Sequence, residues 1–218
     1  MNRFLADPTP APATPCAGRT REPVRILDPV VSVSVIVTTF ERPEALRRVL
    51  EALARQADRD FETLVADDGS GPATEAVIRA AAGSLPGGVV HVRQPDRGFR
   101  AAAARNRAAW ASRGELLVFL DGDSIPRPGF VGAHRVAARP GWAVRGRRTL
   151  LSSGLTAETL AGRVRPEVAG PARWIAWRLR GDLSRLRPLL SFDWPIGDWA
   201  IGPSRTPAPG STGDACTP

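Results

Sequence analysis

The chain has 218 residues, 43% hydrophobic and 24% charged, proportions that suit one folded domain and exclude wholesale disorder. Its net charge is +8, but all 30 basic residues are arginine, and lysine and tyrosine are absent throughout. That bias runs over the whole chain and marks composition rather than a phosphate-binding face, so nucleic acid is not an expected partner. No apolar run nears the roughly 20 residues of a membrane span. Residues 1–20 lack the apolar core of a secretory signal, and Cys16 and Cys216 frame neither a disulfide scaffold nor a metal site. A cytoplasmic location is the expectation.

Residues 1–29 are proline-rich and aperiodic, which predicts a disordered leader. Val31–Val37 is uncharged and rich in β-branched residues, the pattern of a strand buried on both faces of a parallel sheet. Thr39 to Pro43 makes a turn, and Leu46, Val49, Leu50 and Leu53 follow at the spacing of an amphipathic helix. The cycle repeats with a strand over 61–66, a helix over 73–82 and a strand over 89–92. A helix over 100–112 and a strand over 116–120 continue it. A helix near 129–138 and a strand near 143–151 close the regular part. Alternation of this kind predicts an α/β domain with a mostly parallel sheet, whose ligands bind at the carboxyl ends of the strands.

Three of those ends are polar: Thr38-Thr39, Asp67-Asp68-Gly69-Ser70 and Asp121-Gly122-Asp123. Two carboxylates separated by a glycine can turn toward one point and share a hard divalent cation, Mn²⁺ or Mg²⁺. The acids of the Asp-Asp-Gly-Ser run either accept hydrogen bonds from a ribose or base, or serve a turn that caps the next helix. Arg97, Arg100, Arg105 and Arg107 frame a run of alanines and suit phosphate groups or a solvated helix face.

Taken together, Val33–Pro43, Asp67–Ser70, the Gly98…Ala104-Arg105-Asn106 stretch and Val118–Asp123 resemble, in order and spacing, the family 2 glycosyltransferases of GT-A fold. The resemblance covers about residues 31–155, including Arg145–Leu151. It implies a GT-A-type (Rossmann-like) sheet flanked by helices, with a nucleotide-sugar-binding core over 30–155. Thr38, Thr39, Glu41 and Arg42 would line the nucleotide pocket, and Asp67 or Asp68 would contact the uracil or ribose of a UDP-type donor. Arg105 would reach the donor's phosphates or sugar. Asp121 and Asp123 would hold the sugar and the metal while a glycan or lipid-linked acceptor attacks with inversion.

The resemblance stops short of the family's later landmarks. No Gly-Phe-Asp run and no acidic pair supplying a general base follows, so the catalytic residues stay unassigned. Residues 156–201 read as a partial acceptor-side helical region, and 202–218 as a disordered tail. The alternative is a truncated or frameshifted fragment that only binds nucleotide-sugar. Residues 173–190 set Trp174, Trp177 and Leu179 among arginines, which suits either a peripheral contact on the inner membrane surface or a helix packed on further protein.

Overall fold

The computed structural model describes residues 31–184, apart from 140 and 147, together with the backbone of 200–203. The proposed leader and nearly all of the proposed tail lie outside the described residues. Four strands, β1 (Val33–Thr39), β2 (Phe61–Asp67), β3 (Val89–Arg93) and β4 (Leu116–Asp121), form one parallel sheet in the order β3-β2-β1-β4. Every strand of it therefore ends on the same edge. The registers Thr39–Asp67, Thr38–Asp121 and Asp67–Arg93 set those ends side by side.

Helices cover both faces. On one, α1 (Pro43–Ala54) turns its Leu46, Val49, Leu50 and Leu53 stripe onto Val33, Val35, Val37 and Val65, joined by Val77 and Ile78 of α2 (Pro72–Ala81) and Val131 of α4 (Phe130–Ala137). On the other, α3 (Ala101–Ala111) offers small side chains, Ala104 and Ala108 with Ala109 beside them, to Ile36, Leu64 and Ala66, so the helix lies close against the sheet. Fully burying one aliphatic side chain stabilises by about 1.5–3 kcal/mol. The stripe that sequence periodicity picks out is thus the main anchor of α1.

Two expectations change after α4. The strand foreseen near 143–151 is short, β5 (Trp142–Arg145), and pairs antiparallel with β6 (Ala200–Pro203) in a separate two-stranded sheet. The boundary expected at 202 therefore falls inside a strand. Leu151 makes only an isolated bridge, to Leu183.

The helical region, α5 (Ser153–Leu160), a 3₁₀ turn (Pro166–Val168) and α6 (Pro171–Leu179), docks on α1. Arg48 donates to the Leu160 carbonyl at 3.0 Å, and Arg55 to the buried Glu167 at 2.7 Å. Trp174 and Trp177 are buried with Leu155 and Leu183, packed edge to face at 5.8 Å. Of the two readings of 173–190, these two side chains follow the one that packs the helix on protein. Leu179 stays 83% exposed, and residues 185–190 lie outside the described residues. No helix among the described residues is long and apolar enough to cross a membrane.

Candidate functional site

At the carboxyl edge, the turn after β1 is fastened to the turn after β2. Glu41 adopts φ +48°, a left-handed conformation rare for a residue with a Cβ. Its N–H donates to Ser70 Oγ at 3.0 Å, and its carboxylate accepts from Gly71 N–H at 2.5 Å. Glu41, expected to line a nucleotide pocket, thus has its carboxylate on the neighbouring turn. The helix after the Asp-Asp-Gly-Ser run has Gly71 at its N-cap and no side-chain cap, so neither Asp68 nor Ser70 caps it.

Asp67 and Asp68 are both almost fully buried, at 1% and 2% exposure. Asp67 Oδ1 accepts from the N–H groups of Gly69 and Ser70, at 3.2 and 2.8 Å, and Oδ2 meets His91 Nε2 at 2.8 Å. Burial alone would raise its pKa, but the bonds from Ser70 and His91 outweigh that and hold the carboxyl below the usual carboxylate range. Asp68 accepts from Gln94 Nε2 at 2.5 Å and from the Arg100 N–H at 2.7 Å. Gln94 Oε1 is buried without a partner among the described residues. Gly69 has φ +105°, and a Cβ there would stand 2.5 Å from the Asp96 backbone nitrogen, so only glycine fits this bend.

The exposed chemistry gathers beside β4. Thr38 Oγ1 accepts from Arg105 Nε at 2.9 Å, and Arg105 Nη2 donates to Asp121 Oδ1 at 2.9 Å. Arg148 Nη1 reaches Asp121 Oδ2 at 3.2 Å, and Arg42 Nη1 reaches Asp123 Oδ2 at 3.0 Å. The two aspartates keep 48% and 46% of their side-chain surface in solvent. Between them Gly122 is buried, its N–H donating to the Thr38 carbonyl at 2.8 Å. A Cβ on it would lie 2.6 Å from that oxygen. The glycine therefore permits the close approach that folds the Asp-Gly-Asp turn over the end of β1.

Among the described residues no group of three or more His, Cys, Asp or Glu side chains forms a metal cage. Two accessible carboxylates instead offer a partial set of hard oxygen ligands, which suits a divalent cation whose remaining positions go to water and to a diphosphate. Of the residues expected here, Thr38, Arg42, Arg105, Asp121 and Asp123 come together. Thr39 is buried beneath them. Asp67, Asp68 and Glu41 hold the adjoining turns.

Sequence reasoning assigned no role to Arg148, His91 or Gln94. Arg148 belongs to the arginine-rich run after the Asp-Gly-Asp turn, a signal noted without a residue attached. His91 and Gln94 carry no local signal, since they act on carboxylates 24 and 26 positions away.

Residues 34–135 match the family described as Glycosyl transferase family 2. This stretch is a family 2 glycosyltransferase domain. Validoxylamine A glucosyltransferase of Streptomyces hygroscopicus subsp. limoneus is 41% identical over 101 residues, 45% of this chain and 22% of that protein. Hyaluronan synthase of Pasteurella multocida is 38% identical over 105 residues, 48% of this chain and 11% of that protein. The chain thus spans less than a quarter of either relative's length. Among solved structures, the mannosyltransferase PcManGT from Pyrobaculum calidifontis, in complex with GDP-Man and Mn²⁺, is 27% identical with a TM-score of 0.46. That alignment covers 57% of this chain and 38% of that one. The family 2 domain carries the parallel, helix-flanked sheet that the sequence leads one to expect.

Proposed function

We propose that this domain binds a nucleotide-sugar, UDP-type, together with Mn²⁺ or Mg²⁺ at the carboxyl edge of the sheet. The sugar then passes with inversion to a glycan or lipid-linked acceptor. The observation that carries the reading is the pairing of Arg42 with Asp123 and of Arg105 and Arg148 with Asp121 at the strand ends, all but Arg148 inside the family 2 match.

Asp121 and Asp123 would hold the divalent ion, which when bound stabilises charge on the departing diphosphate. The chain's own groups do the rest. Arg105, braced on Thr38, presents a fixed guanidinium toward a phosphate or sugar oxygen. Thr38 and Thr39 form the floor. The nucleoside contact falls to Asp67 or Asp68. A carboxylate offers about four acceptor positions; Asp67 already uses three and Asp68 two, which favours Asp68. Exposure of Ile175 and Leu179 beside arginines is what remains in favour of a peripheral membrane contact.

The experiment is a transfer assay with UDP- and GDP-sugars and soluble or lipid-linked glycan acceptors, read by nucleoside diphosphate release and by the anomeric configuration of the product. Metal-dependent release with an inverted product supports the reading. Release that is indifferent to the Asp121→Ala change contradicts it.

A further inference from the structure

Three guanidinium groups surround two carboxylates at the end of β4. Arg105 is anchored at two points, on Thr38 and on Asp121, and its side chain is 39% exposed. Arg42 and Arg148 each hold a single carboxylate oxygen, and their side chains are 65% and 66% exposed. Arginine does not lose its proton in a protein, so these two can leave a carboxylate only by swinging away. The oxygens they hold, Asp123 Oδ2 and Asp121 Oδ2, are ones a divalent cation would take.

Charge then dictates the order of events. With three cations on two anions the cluster already carries one positive charge in excess, and a bare dication is repelled. A dication arriving with a diphosphate, which brings two negative charges in a nucleotide-sugar and about three in a free nucleoside diphosphate, adds no net positive charge to the cluster. Arg42 also stands at the amino end of α1, where the helix dipole favours an anion.

We propose that Arg42 and Arg148 are exchangeable counter-ions of the Asp121–Asp123 pair: they yield their carboxylate oxygens to a divalent cation and move to the diphosphate of the incoming donor. Metal and nucleoside diphosphate therefore bind as a couple, and the metal alone binds weakly. Arg105, held at both ends, does not exchange. This inference rests on the donor site proposed above.

The test is Mn²⁺ binding followed by electron paramagnetic resonance of the free ion, in wild type, Arg42→Gln, Arg148→Gln and the double variant. Each protein is titrated without nucleotide and again with UDP or GDP, its fold being checked by circular dichroism. Removing either exposed guanidinium should tighten binding of Mn²⁺ alone by about threefold, the scale of one exposed ion pair. Each change should weaken UDP or GDP binding in the presence of Mn²⁺, and the double variant should lose most of the metal–nucleotide coupling. Mn²⁺ bound equally by all four proteins, with coupling intact, overturns the exchange and leaves the donor site standing. No Mn²⁺ bound by wild type or variants, with or without nucleotide, overturns both.

Discussion

Arg105 ties two strand ends with one guanidinium, its Nε on Thr38 Oγ1 and its Nη2 on Asp121 Oδ1, each at 2.9 Å. The fork geometry needs two nitrogens in a fixed plane, which lysine lacks. Arg105→Lys should therefore lower nucleoside diphosphate affinity about as much as Arg105→Ala, by roughly tenfold, the scale of one charged hydrogen bond. The melting temperature should barely move, since exposed ion pairs contribute about 0–1 kcal/mol. Calorimetric titration and a thermal melt check both halves.

Asp67 should behave in the opposite way. It is buried, and its oxygens serve Gly69, Ser70 and His91. Asp67→Ala leaves those donors without a partner and should cost about 3 kcal/mol in urea denaturation. Asp67→Asn keeps one acceptor oxygen and should cost less.

Much of this is legible in the sequence. The uncharged Val33–Val37 run and the Leu46-Val49-Leu50-Leu53 stripe are local patterns, and each maps onto the element it predicts. The Asp-Gly-Asp turn and Arg105 are likewise marked by position at strand and helix ends. What stayed hidden depends on long-range partners. Whether Asp68 faces solvent or the protein is decided by Gln94 and Arg100, and whether Trp174 faces lipid or protein by Leu155 and Leu183. No short window of sequence holds that information.

Gly122 tests the turn itself. A methyl group there collides with the Thr38 carbonyl at 2.6 Å, whereas one at Gly83 meets nothing within 4 Å. Gly122→Ala should cost about 1–3 kcal/mol and weaken Mn²⁺-dependent UDP binding, because β1 and β4 must part at their ends. Gly83→Ala should change neither. Paired urea titrations and binding isotherms check this.

Acid should unfold the domain through the carboxyls held low. Burial acts to raise Asp67 and Glu62, but bonds from Ser70 and His91, and from Ser34 and Arg113, prevail and lower both; Arg135 lowers Asp58. A depressed folded value means that the stabilisation is fully present above the unfolded carboxylate range of about 4. It is lost as pH falls through the lower folded values. The share of these carboxyls in the urea midpoint should therefore hold steady above that range and decline below it, and Glu62→Gln should flatten that decline. Burial also lowers His134, whose smaller share is lost earlier, as pH falls below the ordinary histidine value of about 6.5.

The most direct measurement is calorimetric titration of UDP, GDP and a UDP-sugar into the wild-type chain and Asp123→Ala, with Mn²⁺ and then with EDTA. Asp123 is exposed and contributes little to packing, so the variant should stay folded. Binding that requires Mn²⁺ in the wild type and loses that dependence in Asp123→Ala is the expected result. Equal affinity with and without metal, unchanged by the substitution, would contradict a metal-assisted donor site at the end of β4.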